Sequence, residues 1–424
     1  MSTPALRLLF FPRERYPTDR VRITTLFGRE LLGRGHEIDL VMQAASESVQ
    51  VGRHAWHGRS IQVGRTDDGR GPLHRARRAA LGLLHDLRWL IRARRQDYDG
   101  ILVSDKYLVG VIASTVAKLR GMKFLFWMTY PYHQAQVTLG LENLARAPLL
   151  SLLRGRIAGF FLRYWILPRS AHVFVQSQRM AEDFAALGVD QQRMTPIVTG
   201  IDLAGFVAAG ARPPPGRDGV LTVGYLGTLV RQRRLDILVD MIVELRKRGL
   251  RAHLLLVGDG ASLDDRNLIE QRARDLGVES QVEITGFLPR MEALSRICSA
   301  DVCVSPFRPS PALEVASPTK LVEYLALGLP VVANVHPDQS HVLRQSRAGV
   351  RVPWGARHFA RAVHWIVRRS EAERGAMAAR GQAWVQRHRT YAGIADDFEE
   401  GCRRGGLLRA PASWAGPVDD QTGV

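Results

Sequence analysis

The sequence predicts an α/β protein built from two doubly wound, parallel-sheet domains. Three observations carry this. Short β-branched apolar runs alternate with helical segments along the whole chain, as βαβ units require. The alternation breaks once, at 208–219, where Ala-Ala-Gly-Ala-Arg-Pro-Pro-Pro-Gly-Arg-Asp-Gly has no periodicity and reads as a linker. The chain has 424 residues, which suits two or three domains at roughly 100–200 residues each. Sheets of this kind hold ligands beyond the carboxyl ends of their strands, so a cleft between the two domains is the expected site.

In the first domain, 1–207, strands are expected at 6–11, 37–42, 100–103, 123–128, 172–175 and 194–198. Helices at 21–34 and 108–119 stop at Gly35 and near Gly121, the residue that accepts a left-handed backbone just past a helix. Segment 149–167 mixes Arg154, Arg156 and Arg163 with Phe160, Phe161, Tyr164 and Trp165. It suits either a buried amphipathic helix or one lying on an anionic membrane surface. After the linker, the second domain spans 220–385, with strands at 220–225, 253–257, 282–285, 302–305 and 330–333. Helices fall between them at 235–248, 264–276, 291–298 and 319–326. A helix at 386–404 is expected to pack back on the first domain, and 405–424, rich in Gly, Pro and Ala, reads as a disordered tail.

Hydrophobic residues make up 46% and charged residues 24%, which argues against wholesale disorder and against a polytopic membrane protein. The longest apolar stretches are broken by charge, at Asp105, Lys106 and Lys118 and at the three arginines of 149–167, short of the ~20 residues a spanning helix needs. The N-terminal apolar run is too short for a signal peptide, and Cys298, Cys303 and Cys402 lack zinc or disulfide spacing, so a reducing cytoplasm, at most the inner face of the membrane, is expected. Net charge is +18, and with only five lysines the excess is arginine, whose planar fork suits phosphate and carboxylate. A generally solvated basic surface explains the charge equally well. A basic nucleic-acid-binding protein would too, but there is no zinc finger, basic zipper or RNA-recognition signature, so no nucleic-acid partner is expected.

The segment 317–333, Ser-Pro-Thr-Lys-Leu-Val-Glu-Tyr-Leu-Ala-Leu-Gly-Leu-Pro-Val-Val-Ala, carries the most chemistry. Ser317 suits an N-cap, Pro318 the first helical position, and Gly328 the stop before a buried strand. The free N–H groups of Thr319, Lys320 and Leu321 would then face a phosphate, with the Lys320 charge beside them. Glu323, one turn on, could accept hydrogen bonds from two ribose hydroxyls. An ordinary capped helix with a solvated glutamate fits the same residues, so the surroundings decide. Gly224-Tyr225-Leu226-Gly227-Thr228 closes a strand and leads to Arg231, Arg233 and Arg234, a glycine turn followed by candidate diphosphate clamps. The strand 254–257 runs into Gly258-Asp259-Gly260, but Leu263 stands where a dinucleotide fingerprint needs its third glycine, so no nicotinamide site is read there. In the first domain, Trp127-Met128-Thr129-Tyr130-Pro131-Tyr132-His133 and Asp105 follow strand ends, where side chains open toward a ligand.

Taken in order, Gly224–Thr228, Val257–Gly260, Thr285-Gly286-Phe287, Ala300-Asp301-Val302 with Ser305-Pro306, and 317–333 resemble the donor domain of the family 4 glycosyltransferases. Arg34-Gly35-His36-Glu37-Ile38, Val175-Gln176-Ser177 and Thr199-Gly200-Ile201-Asp202 agree more loosely. The resemblance implies a GT-B arrangement of two facing Rossmann-like domains and transfer of a sugar from a UDP- or GDP-linked donor with retention of configuration, without cofactor or metal. The acceptor it implies is a saccharide or lipid-linked saccharide. It makes Glu323 the ribose binder, Lys320 and one of Arg231, Arg233 and Arg234 the diphosphate neutralisers, and Gly286 and Phe287 the frame of the base. Gly227, Thr228, Gly258, Ser317, Thr319 and Leu321 complete the donor side. On the catalytic side it implies His133, with Asp105 as a further cleft candidate. The family's second glutamate, eight positions before the ribose binder, is replaced here by Val315, leaving Glu314 one residue out of place. The glycine pair that many members carry after the first strand is replaced by Arg15-Tyr16-Pro17-Thr18-Asp19-Arg20. A sugar-nucleotide epimerase or hydrolase of the same layout is the competing enzyme reading.

Overall fold

A computed structural model describes residues 5–408 apart from Gly58, Leu144, Arg146, 204–205, 207–218 and Ala261. The expected linker, except Gly219, and the tail beyond 408 lie outside the described residues. The chain forms two compact units: the first holds residues up to Val175, Ala181–Ile197 and those from Ala395 on, the second Gln176–Met180 and Val198–Ile394.

The first unit is built on a nine-stranded sheet of β1 (Arg7–Phe11), β2 (Arg15–Tyr16), β3 (Glu37–Ala44), β4 (Gly52–Trp56), β5 (Arg59–Gly64), β6 (Gly100–Ser104), β7 (Lys123–Met128), β8 (His172–Val175) and β9 (Met194–Pro196). The order is β4-β5-β3-β1-β6-β7-β8-β9, with β2 added beside β3. Every pair is parallel except β4 with β5. That antiparallel edge corrects the expectation of a purely parallel sheet, and the sequence reading gave no strands at 52–64. β4, Gly-Arg-His-Ala-Trp, is exposed or half-buried throughout and carries no apolar run to read, and in β5 the polar Ser60 and Gln62 interrupt the buried run. Inside the sheet the pattern is plain: Leu8 to Phe11 of β1 are fully buried. Trp127 and Phe174 pack with Phe398 from the last helix, Tyr391–Arg404, and the Phe174 and Phe398 rings lie 4.6 Å apart at 22°. Burying a side chain such as Phe398 contributes roughly 1.5–3 kcal/mol.

The second unit is a six-stranded, wholly parallel sheet of β10 (Leu221–Leu226), β11 (Ala252–Val257), β12 (Val282–Ile284), β13 (Val302–Ser305), β14 (Val331–Asn334) and β15 (Gly349–Val352), ordered β12-β11-β10-β13-β14-β15. Both faces are covered, so alternate residues enter different cores. Leu254 and Leu256 join Val223, Tyr225 and Phe359, while Leu255 and Val257 join Tyr324, Val331 and Trp384. In each unit the winding reverses beside the first long strand, between β1 and β6 in one and between β10 and β13 in the other. The carboxyl ends at such a reversal leave a crevice for ligands.

No helix among the described residues is long and apolar enough to cross a membrane. Segment 149–167 is helical, covered by Pro148–Phe161, the wider turn Leu162–Ile166 and the start of Leu167–Arg169. Leu149, Leu153, Ile157, Phe160 and Tyr164 are exposed there, against the alternative of a buried amphipathic helix.

Candidate functional site

At the reversal of the second unit, Leu226 ends β10 by donating its N–H to the Tyr324 hydroxyl at 2.8 Å. Gly227 follows with φ +136°, and a Cβ there would stand 2.3 Å from Cε of Lys320 and 2.8 Å from its Nζ. Only glycine lets the lysine lie across this strand end. Gly258, after β11, has φ +141°, and its Cβ would stand 2.4 Å from the Gly227 carbonyl oxygen. Gly258 in turn bridges to Gly286. Three strand ends thus make one thin backbone layer, with the Lys320 ammonium reaching over it and 5.5 Å from the centre of the Tyr225 ring. Burial pushes the Lys320 pKa down to about 7, the Arg233 charge adds to the fall, and Glu323 opposes it.

Of the three candidate arginines, Arg233 joins this group. Its Nη1 donates to the Tyr225 hydroxyl at 3.0 Å and to the Thr228 carbonyl at 3.2 Å. Arg231 is fixed by its backbone N–H on Asp265, and Arg234 is bound to Asp236 at 2.8 Å. Glu323 lies one turn along the helix Thr319–Ala326, with 13% of its side chain exposed and Oε1 3.4 Å from Nη2 of Arg290. The Arg290 guanidinium also sits 5.6 Å from the ring centre of Phe206. Sequence reasoning passed over Arg290, although it is the first basic residue after the Gly286-Phe287 turn. Phe287 is 68% exposed, whereas the Leu321 side chain is buried, so Leu321 offers the site its backbone alone.

Two expectations are corrected. Ser317 does not cap the helix, which starts at Thr319 with Pro318 in the cap position and no side-chain cap bond. Its hydroxyl instead donates to Asp338 at 3.0 Å and accepts from Arg389 Nη1 at 3.2 Å and from the Thr199 N–H at 3.1 Å. Arg389 and Asp338 are paired at 2.5 Å with side chains only 4% and 9% exposed. A buried ion pair needs its remaining hydrogen bonds satisfied, and it outcompetes the helix end for this hydroxyl. The N–H groups at the helix start are left without a side-chain cap, as an anion site requires. Gly224, expected in the turn, lies inside β10, where a Cβ would come within 2.7 Å of Ala300 and Ile297; it is a packing glycine.

Glu314 ends the short helix Pro311–Glu314 and lines a cavity of about 400 Å³ with Phe307, Arg308, His336, Arg344 and Arg351. That lining shares no residue with the Gly227–Lys320 group. Among the described residues, no group of three or more His, Cys, Asp or Glu is placed to hold a metal ion.

In the first unit the reversal brings together the segments that follow β1, β6 and β7. Asp105 has φ +57°, is 4% exposed, and spends both carboxylate oxygens on the N–H (2.9 Å) and hydroxyl of Thr129. Burial pushes its carboxyl up in pKa while the Arg22 charge and the Thr129 bonds pull it down. Asp105 therefore locks the exit of β7 rather than facing a ligand freely. His133, in the first turn of the helix Tyr132–Leu141, has Nδ1 3.0 Å from the Tyr107 hydroxyl, which also receives the His133 backbone N–H at 3.4 Å. The phenol and Nδ1 share one hydrogen bond, with either ring tautomer able to make it. Burial pushes the His133 pKa down to about 4, so at neutral pH the ring is an uncharged N–H donor.

Two family models match the chain: Glycosyltransferase Family 4 over residues 21–204 and Glycosyl transferases group 1 over 220–369. The chain belongs to the family 4 glycosyltransferases. Among solved structures, Anabaena HepE, crystallised with UDP and glucose, superposes with a TM-score of 0.64 at 16% identity over 94% of this chain and 99% of that one. Sucrose-phosphate synthase of Thermosynechococcus elongatus gives 0.70 at 17% identity, covering 94% and 98%. Both likenesses make the fold of this glycosyltransferase GT-B. Among curated proteins, WcaL of Salmonella typhimurium LT2, named for colanic acid biosynthesis, is 23% identical over 222 residues, 48% of this chain and 53% of that protein. Its Escherichia coli K12 counterpart is 24% identical over 169 residues, 39% and 40% of the two chains. The chain therefore spans about half the length of the curated relatives it matches, or less.

Proposed function

We propose that this glycosyltransferase moves a sugar from a nucleoside-diphosphate donor, held by the second unit, to a saccharide or lipid-linked saccharide in polysaccharide or glycolipid synthesis. The observation that carries the reading is Lys320 lying across Gly227 at the sheet reversal, one turn from Glu323 on the same helix. Lys320, Arg233 and the uncapped N–H groups take up the negative charge that grows on the diphosphate as the glycosidic bond breaks, which is fixed electrostatic stabilisation of a leaving group. Glu323 exchanges Arg290 for the ribose hydroxyls. Retention of configuration and a UDP- or GDP-linked donor are part of the proposal. Its direction toward polysaccharide is supported by the likeness to WcaL.

Titration calorimetry of UDP, GDP and ADP, with and without the attached sugar, against wild type and Glu323→Ala tests it. Losing hydrogen bonds to the carboxylate weakens binding by on the order of 1.5–3 kcal/mol per bond. A folded wild type that binds none of these nucleotides overturns the reading. Product analysis without acceptor separates the epimerase and hydrolase alternatives, since an epimerase leaves the altered sugar on its nucleotide.

The proposal includes peripheral contact with anionic membrane through 149–167. Exposed Leu149, Leu153, Ile157, Phe160 and Tyr164 share that helical segment with exposed Arg154, Arg156 and Arg163, an apolar and a cationic component together. Replacing the three arginines with alanine is expected to abolish sedimentation with anionic liposomes. Unchanged sedimentation removes the membrane from the proposal.

A further inference from the structure

We propose that the cavity beside the helix Pro337–Ser346 is a second anion site, one that takes a small phosphate monoester with an apolar body. The cavity, of about 400 Å³, lies wholly within the second unit, where Phe307 follows β13, Val335 follows β14 and Arg351 belongs to β15. The glycine turns at 227, 258 and 286 follow β10, β11 and β12, on the other side of the winding reversal, and neither they nor Lys320 and Glu323 line it. Its walls are tied in place from behind. The Asn334 side chain grips the backbone of Phe307, accepting from its N–H at 2.7 Å and donating to its carbonyl at 2.8 Å. His336 is buried and uses both ring nitrogens: Nδ1 accepts from the Gln339 N–H at the helix start, and Nε2 donates to the Leu313 carbonyl at 2.8 Å. Burial holds its pKa below the ordinary histidine value, so the ring braces the cavity without adding charge at neutral pH. The space is formed before any ligand arrives, and binding then carries little ordering cost.

The lining selects the occupant. Arg308, Arg344 and Arg351 face one acid, Glu314, which leaves an excess of two positive charges around one space. Neither Arg344 nor Arg351 makes a side-chain hydrogen bond or ion pair among the described residues. By contrast Arg234, Arg272 and Arg296 of the same unit are each paired with an acid. The two come from separate elements, the helix and the edge strand, and like charges brought to one cavity repel until an anion stands between them. A phosphate monoester carries close to two negative charges near neutral pH, and its oxygens match the guanidinium fork. A bare phosphate ion would leave the rest of the lining idle. Phe307, Pro309, Val335 and Pro337 are apolar, and Val335 is 56% exposed, so an organic body gains by covering them. Glu314 sets the limit on the other side, since its carboxylate repels a second phosphate group and makes a diphosphate the wrong ligand.

The test is calorimetric titration of the full chain with phenyl phosphate, with inorganic phosphate and phenyl sulfate as comparisons. Phenyl phosphate is expected to bind saturably at one site, about tenfold or more tighter than inorganic phosphate, which lacks the body, and than phenyl sulfate, which lacks the second charge. Arg344→Gln combined with Arg351→Gln, both exposed positions and checked for wild-type circular dichroism, is expected to weaken that binding by about tenfold or more. Lys320→Met and saturating UDP are each expected to leave it unchanged. The proposal falls if no saturable binding is seen, or if the double variant binds like wild type. It falls also if UDP displaces phenyl phosphate or Lys320→Met abolishes its binding, since the ligand then sits in the donor site. A comparison ligand that binds as tightly as phenyl phosphate overturns it as well, because the apolar lining or the second charge then takes no part. Nucleotide titration is read separately. Phenyl phosphate binding without nucleotide binding keeps this site and overturns the donor proposal, and the reverse result overturns this site alone.

Discussion

The two units are wound alike, each with a reversal beside its first long strand, yet their sites are built by opposite means. In the second unit the site is mostly backbone: glycine turns at 227, 258 and 286 and a helix start, with one lysine and one glutamate on a single turn pair. In the first unit it is mostly side chain, assembled from 13–22, 105 and 127–133. A backbone site is pinned by local chain geometry and varies little with the ligand it takes. A side-chain site is pinned by contacts among distant segments, and its ligand can change by substitution. Under the proposed function, the backbone-built site of the second unit would take the nucleotide and the side-chain-built site of the first the individual chemistry.

The sharpest way to break this contrast is Arg389→Ala, because Arg389, with Asp338, is the distant ion pair on which the local site of the second unit leans through Ser317. Removing one partner of a buried ion pair costs about 3–5 kcal/mol, since Asp338 is left charged and unpaired. Denaturant unfolding is expected to show a loss of that size. Asp338→Ala combined with Arg389→Ala is expected to recover part of it. If the single variant unfolds like wild type, the helix start is fixed by local geometry alone and the contrast between the units is sharper than drawn.

A smaller effect concerns Lys320. With its pKa near 7 in the free protein, the amine is largely neutral above that pH, and a bound diphosphate raises its pKa by offering opposite charge. Binding above pH 7 therefore takes up a proton. Affinity for a nucleoside-diphosphate sugar is expected to be flat well below pH 7 and to fall above it by up to about tenfold per pH unit. Buffers of different ionisation heat reveal the uptake in calorimetry. Lys320→Met is expected to bind more weakly with a flat profile, and a wild-type profile flat from pH 6 to 9 contradicts the lysine's placement. Sugar-linked diphosphates do not titrate in this range, so the ligand does not mimic the signal.

This asymmetry explains what the sequence disclosed. Lys320, Glu323 and the glycine turns could be read because each is adjacent in the chain to the strand or helix that aims it. Even there, Ser317 looked like a cap, since nothing local reveals Arg389 seventy-two residues later. Arg290 was hidden for the same reason, its meaning lying in a contact with Glu323 across thirty-three residues. Most buried strands were legible from their apolar runs; β5, whose buried Ile61 and Val63 alternate with Ser60 and Gln62, and the half-exposed edge strand β4 were not.

The smallest expected effect sharpens the contrast from the other side. His133 is neutral through burial, and its Nδ1 also shares a hydrogen bond with the Tyr107 hydroxyl. Tyr107→Phe removes the hydrogen bond and leaves the burial, at a cost of about 0.5–1.5 kcal/mol in stability. Burial is the dominant cause, so the imidazole of the variant is expected to titrate still well below an ordinary histidine when followed by its ring proton resonances. A return toward an ordinary histidine value would mean that one hydroxyl from a neighbouring helix sets the charge at this position. A site built of side chains can carry such dependence, and the glycine turns of the second unit have no counterpart to it.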